Sequence, residues 1–133
     1  KYSDKDPSEE EDMEAYHCFI ECVSKGTQVA DDTGYVNLES MVKHRSSMFE
    51  KDEINEFVKK WFSQCVKEGN ECAQNIQNKK KGSVKCNPAE EYVRLCLDFH
   101  ATKECPEHLK THDEVCNEIA TEKTWDPHGE CNP

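Results

Sequence analysis

The spacing of apolar residues predicts an all-α fold: a compact, disulfide-linked bundle of about five to six helices. The stretch from Asp52 to Gly69 shows the pattern most clearly, because its apolar residues recur at steps of three and four and form one broad stripe in a helix. No segment shows the period-two alternation that is typical of strands. Nine cysteines in 133 residues indicate disulfides, which stabilise small domains of low apolar content.

The first helix is predicted to begin at Ser8 and to end near Gly26. Ser8 and Glu11 form a capping box, in which a hydroxyl precedes a carboxylate by three residues. After a loop, Asn37 is predicted to cap a short helix that runs through Phe49 and leads into the central helix.

Four more helices are predicted from residue 52 onward. In the central helix Asp52 offers a start cap and Gly69 a stop, and a weak polar helix follows at 71–80. The tetrapeptide 87–90 (Asn-Pro-Ala-Glu) is a strong start signal, with a cap, a first-turn proline and a third-position glutamate. Pro106 is predicted to open the last helix.

Composition excludes some classes of function. A net charge of −11 argues against nucleic acid as a partner, because phosphates would be repelled. No run approaches the roughly 18 apolar residues that a membrane span needs, so we expect no stable membrane insertion. The chain starts without a charged-then-apolar leader, which we interpret as a mature secreted product in an extracellular fluid. We expect one domain over 1–133, with a frayed N-terminus at 1–7 and a C-terminal tail at 121–133.

The cysteine spacing is the most specific feature of the sequence. It reads Cys18-x3-Cys22-x42-Cys65-x20-Cys86-x9-Cys96-x8-Cys105-Pro106, with Cys116 and Cys131 beyond. This spacing closely resembles the insect odorant-binding proteins and, within them, the Plus-C subfamily, which adds a cysteine before the fifth, a proline after the sixth and further cysteines in a C-terminal extension. The segment CFIECVSKGTQVADDTGYVNLESM is also similar to that family, and the resemblance covers roughly residues 13–131.

The resemblance implies two bridges, Cys18–Cys96 and Cys65–Cys105. The family's first cysteine is missing, since residues 1–17 contain none, and an odd count of nine leaves at least one thiol unpaired. We also expect Cys131 to be bonded, because a terminal cysteine is useful only if it pins the extension. Its partner stays open among Cys22, Cys72 (which the family pattern does not explain), Cys86 and Cys116.

The resemblance further implies an apolar cavity and a carrier that reversibly binds and solubilises a small hydrophobic ligand, without enzymatic activity and without a cofactor. We expect Tyr92 to anchor the ligand by a hydrogen bond and Trp61 to line the pocket, whereas Trp125 should lie away from it. The pocket candidates are Phe19, Val23, Met41, Met48, Phe57, Trp61, Phe62, Tyr92, Leu95 and Phe99. The shortened N-terminus would leave one side of the pocket open, which would favour a homodimer that covers the open side. The alternative is a secreted interaction protein on the same scaffold, with a filled core and a protein partner.

Two other constellations have ordinary explanations. Cys105, His108, His112 and Cys116 share one helical face with a spacing that suits zinc, but oxidised cysteines and solvated histidines explain it better, so we expect no metal. The run from His112 to Cys116 faintly resembles a secreted phospholipase active site, yet the glycine-rich calcium loop is absent.

Overall fold

The computed structural model describes residues 7–81, 83–111 and 113–133, and about 65% of the chain is helical. Five α-helices follow one another, with a short 3-10 helix at Glu107–Leu109 before the last. They are α1 (Pro7–Gly26), α2 (Leu38–Arg45), α3 (Asp52–Lys80), α4 (Ala89–Lys103) and α5 (Glu114–Thr121). The described ranges contain no strand, only an isolated bridge between Ala30 and Val36. The predicted all-α, disulfide-linked bundle is therefore confirmed.

Two elements near the N-terminus follow the sequence signals in part. Residues 1–6 of the predicted frayed segment lie outside the described residues, while Pro7 already begins α1. Asn37 caps α2, and its side chain accepts a hydrogen bond from the Ser40 amide at 2.9 Å. None of the helices in the described ranges is long and apolar enough to cross a membrane.

Helix α2 ends at Arg45, four residues before the predicted Phe49. The Asn55 side chain explains the early end, because its amide bonds both the Phe49 N–H and the Phe49 carbonyl, each at 2.9 Å. The backbone of Phe49 is thus satisfied outside a helix, and the connection to α3 is fixed by a side chain.

Helix α3 continues through Gly69, so the predicted stop there and the separate helix at 71–80 are wrong. A Cβ on Gly69 would lie 2.5 Å from Val93 Cγ2 and 2.6 Å from the Val93 backbone nitrogen. The glycine is needed for close approach of α4, not for ending α3. At the start of α3 the N-cap is Lys51, which makes no side-chain capping bond, and Asp52 is the first helical residue.

The core lies between α3 and α4, with the loop after α1 and helix α2 packed against this pair. Met41, Val93 and the half-cystines at 65 and 96 are fully buried there. A smaller cluster of Cys72, Ile76 and Tyr92 extends toward the C-terminal tail.

The disulfide pattern corrects both bridges that the family resemblance implied. The structure pairs Cys18 with Cys86, Cys65 with Cys96 and Cys72 with Cys131, and it leaves Cys105 unpaired together with Cys22 and Cys116. Cys65 and Cys96 meet because they lie about one turn from the Gly69–Val93 contact, with a Cα–Cα distance of 5.4 Å. Because Cys65 and Cys96 bond each other, Cys96 is not available to Cys18 and Cys65 is not available to Cys105.

The region after α4 also differs from the prediction. Pro106 caps a single 3-10 turn instead of opening the last helix, and α5 begins only at Glu114. The Asp113 side chain provides the start signal, since it accepts a hydrogen bond from the Cys116 amide at 2.8 Å.

The pairing pattern predicts the count and identity of reactive thiols. Iodoacetamide under denaturing, non-reducing conditions should add three groups, at Cys22, Cys105 and Cys116, because the other six sulfurs are oxidised. Peptide mapping by mass spectrometry should then recover the three bridges. Alkylation of Cys96 or Cys86 would contradict the structure.

The helix crossing predicts that Gly69→Ala destabilises the protein. The added methyl group meets backbone atoms of Val93, and we expect overpacking to outweigh the roughly 1 kcal/mol gain in helix propensity, for a net loss of about 2 kcal/mol. Urea unfolding measures the change. Gly26→Ala is the matched control, because nothing lies within 4 Å of the position that its added methyl group would take, and it should not destabilise the protein.

Candidate ligand-binding site

The C-terminal tail is fastened to one face of α3. Beside the Cys72–Cys131 disulfide, the Asn75 side chain donates to the Cys131 carbonyl at 2.8 Å, and Lys79 Nζ donates to the Glu130 carbonyl at 2.6 Å. Cys72, Asn75 and Lys79 follow one another at steps of three and four, so they share a helix face. One stripe of α3 therefore positions the whole end of the chain.

The tail, α1, α3 and α4 enclose a cavity of about 300 Å³, which we call the tail cavity. Ile76, Tyr92 and Pro88 are buried and form its apolar floor. Its rim is charged or half-buried, with residues of α1 on one side and the end of α3 on the other. The full lining is Met13, Glu14, His17, Ile76, Lys79, Lys80, Pro88, Tyr92 and Glu130.

Charges of both signs surround the mouth of the tail cavity. Glu14 pairs with Lys85 at 3.5 Å, and His17 forms an ion pair with Glu91. An apolar floor beneath a charged rim suits a small molecule with a hydrophobic body and a polar end. The described lining residues include no serine, threonine or cysteine that could act as a nucleophile.

The two tryptophans have different surroundings. The Trp125 ring packs against Tyr92, with 6.2 Å between centroids, and its Nε1 donates to Glu68 Oε2 at 3.1 Å. Trp61 stacks on His100 with 4.0 Å between ring centroids and lines none of the three cavities described here. Trp125 is therefore the indole that contacts the floor of the tail cavity.

A second cavity of about 320 Å³ lies between α1, α2 and α4, and we call it the Glu90 cavity. Glu90 is buried and its Oε1 forms an ion pair with Arg45. Arg94 donates to the Tyr16 hydroxyl at 3.3 Å. Asp98 lies near both arginines but does not line the cavity. Burial raises the pKa of Asp98, although the positive charges of Arg94 and Arg45 act in the opposite direction.

A third cavity, of about 560 Å³, lies between the end of α4 and α5. Two of the unpaired thiols, Cys105 and Cys116, are on its wall. Of the zinc-like set, His112 lies outside the described residues, and His108 Nε2 is 3.1 Å from a Glu53 oxygen.

The described residues hold one cluster with metal-like spacing, formed by Cys65, Cys96 and His100. Both of its sulfurs belong to a disulfide, so neither offers a thiolate ligand. In the phospholipase-like segment, the Asp113 carboxylate caps α5.

The structure does not bring the predicted pocket residues together. Tyr92 lines the tail cavity, whereas Val23 and Met48 line the Glu90 cavity. The others divide by burial: Met41 and Phe62 belong to the filled core, Phe57, Trp61 and Phe99 are half-buried, and Phe19 and Leu95 are exposed. Ligand contact by these residues stays a prediction.

Sequence reasoning missed most of the tail cavity's wall. Met13, Ile76 and Glu130 come from three separate segments, and only the fold makes them neighbours. Cys131 was the available signal, because a bonded terminal cysteine implies that the adjacent Glu130 lies against the body. The sequence left the partner of Cys131 open, and the location of the cavity depended on that choice.

The chain forms a disulfide-tied, all-α domain, and the cavities between its helices have volumes in the range of small-molecule pockets. A family model described as the PBP/GOBP family matches residues 1–97. The chain therefore belongs to the PBP/GOBP family, the odorant-binding proteins. Searches of curated proteins and of solved structures returned no match.

Removing the tail's anchor should expose Trp125. In a Trp61→Phe background, the double change Cys72→Ala and Cys131→Ala should shift the remaining emission to the red and increase quenching by acrylamide. The bridge joins residues 59 apart, so its loss should lower the free energy of unfolding by about 4 kcal/mol. Cys22→Ala is the control, since this thiol is exposed and unpaired. Unchanged quenching in the double variant would show that the tail stays in place without the bridge.

Proposed function

We propose that this protein is a secreted carrier that reversibly binds a small hydrophobic molecule in the tail cavity and does no chemistry on it. One observation carries the proposal: a cavity of about 300 Å³ has a buried apolar floor in a member of a family of binding proteins. Removal of apolar ligand surface from water would supply most of the affinity.

The arrangement of the cavity supports reversible binding. Ile76 and Tyr92 would contact the hydrophobic body of the ligand, while Glu14, His17 and Lys79 leave its polar end at a hydrated rim. Glu130 of the tail lies on the wall beside the Cys72–Cys131 bond, and this covalent tie would lower the cost of ordering that part of the wall on binding.

The bonded extension also supports assignment to the Plus-C subfamily and to an extracellular compartment. Three disulfides need an oxidising environment to form and persist. Nine cysteines, a proline directly after Cys105 and a C-terminal cysteine bonded to the body fit that subfamily.

The alternative is binding of a protein partner, or of a second copy, through the surface of α1 and α4. Exposed apolar side chains favour it: Phe19 on α1 is 62% exposed and Leu95 on α4 is 43% exposed. Single exposed apolar residues are common on protein surfaces, so this alternative is second to the carrier.

An apolar fluorescent probe tests the carrier. N-phenyl-1-naphthylamine should bind with micromolar affinity and change the emission of Trp125, so the response should persist in Trp61→Phe and largely vanish in Trp125→Phe. Ile76→Phe fills the floor of the tail cavity and should weaken the probe at least about tenfold, which corresponds to about 1.4 kcal/mol.

The matched control is Val23→Phe, which adds a ring at the Glu90 cavity and should leave probe affinity unchanged. Should Ile76→Phe fail to fold, Met13→Trp blocks the same cavity from its half-buried rim. No binding of the probe to the parent protein, or a response carried by Trp61 alone, would refute the tail cavity as the ligand site.

A further inference from the structure

The carboxylate of Glu90 is buried with one oxygen unused. Glu90 is 4% exposed, and its Oε1 forms an ion pair with Arg45. Its Oε2 is inaccessible to solvent and has no hydrogen-bond partner among residues 7–81, 83–111 and 113–133. A buried carboxylate oxygen without a donor destabilises the fold, and Glu90 is one of the residues that line a cavity of about 320 Å³.

Two hydroxyls on the wall of the Glu90 cavity donate elsewhere. The Ser24 hydroxyl donates to the Ile20 carbonyl at 2.8 Å, and the Thr27 hydroxyl donates to the Val23 carbonyl at 3.0 Å. Neither hydroxyl proton is directed to Glu90. A molecule in the cavity would supply the donor that these two hydroxyls do not supply.

The charges near the cavity favour a cationic donor. Arg45 forms an ion pair with Glu90 Oε1, and both Arg45 and Arg94 act on Asp98. Glu91, also on the wall, contacts the His17 ring. The imidazole of His44, also on the wall, is exposed. An ammonium group beside Glu90 Oε2 would donate a charge-assisted hydrogen bond to it, whereas a carboxylate placed there would meet like charge.

The remaining wall is apolar and limits the size of the occupant. Ile20, Val23, Val29 and Met48 lie around the same space. A volume of about 320 Å³ is at the lower end of the range for ligand pockets, so it suits a short hydrocarbon body.

We propose that the Glu90 cavity is a second binding site, separate from the tail cavity, and that it takes a small primary amine whose ammonium group donates to Glu90 Oε2 while its apolar body packs on the α1 side chains. The charge-assisted hydrogen bond from the ammonium group would give Glu90 Oε2 the donor that it lacks among the described residues. The site selects for charge, in contrast to the apolar floor of the tail cavity.

Three ligands of equal length test the head-group rule: hexylamine, hexanol and hexanoate, titrated calorimetrically at neutral pH. Hexylamine is protonated there and should bind about tenfold more tightly than hexanol, with hexanoate weakest, because hydrogen bonds to charged partners are the stronger ones. Equal affinity for amine and alcohol, or preference for the acid, would overturn the proposal.

Glu90→Gln keeps the side-chain shape and removes the charge, so it should abolish the preference for amine over alcohol. Asp98→Asn is the matched control: it removes one negative charge near the same two arginines but does not line the cavity, and it should retain most of the preference. Loss of preference in Asp98→Asn with retention in Glu90→Gln would contradict the assignment.

Chemical shifts of the unmodified protein locate the amine without any substitution that could impair folding, and one variant then checks the location. Hexylamine should shift the backbone amide resonances of Val23, Ser24 and Glu90, and Val23→Phe should weaken it about tenfold without affecting N-phenyl-1-naphthylamine. Shifts at Ile76 and Tyr92 instead would place the amine in the tail cavity and refute a separate site. Failure of the apolar probe alone would refute the carrier proposal and leave the amine site standing.

Discussion

The close packing of α3 against α4 is the contact on which the rest of the structure depends. Gly69 allows the backbone of Val93 to approach so closely that no side chain fits between the helices. The Cys65–Cys96 disulfide fixes the same crossing about one turn away. Buried side chains fill the surrounding volume, so this pair is a solid centre and not the wall of a large cavity.

The cavities lie where other segments meet the edges of this pair. Helix α1 is tied beside the start of α4 by Cys18–Cys86, and the tail is tied to α3 by Cys72–Cys131. Covalent ties hold these segments in place where apolar contact is limited, which leaves gaps between them and the core. The same bonds that stabilise a chain with 34% charged residues therefore also create its candidate binding sites.

The tail cavity and the Glu90 cavity differ in what a ligand must supply. In the tail cavity the buried surface comes from Ile76, Tyr92 and Pro88, so the ligand that we propose there would be held mainly by its hydrophobic body. In the Glu90 cavity a buried carboxylate oxygen lacks a donor among the described residues, so the ligand that we propose there would supply a specific polar group. Buried polar groups discriminate between ligands more strongly than apolar walls do, because leaving them unpaired costs free energy.

The sequence by itself determined the fold class and most helix starts, because apolar periodicity and caps are local properties. Asn37 acts as predicted, and the helix after Asn87 begins within two residues of its signal. Local rules failed at Gly69, where a glycine that is typical of a helix stop is required by a helix distant in sequence. The predicted disulfide pairing was wrong for the same reason, since spacing along the chain does not say which cysteines the helix crossings bring together. Only the tertiary structure decided the partner of Cys131, and with it the position of the tail cavity, because both depend on contacts between segments far apart in the chain.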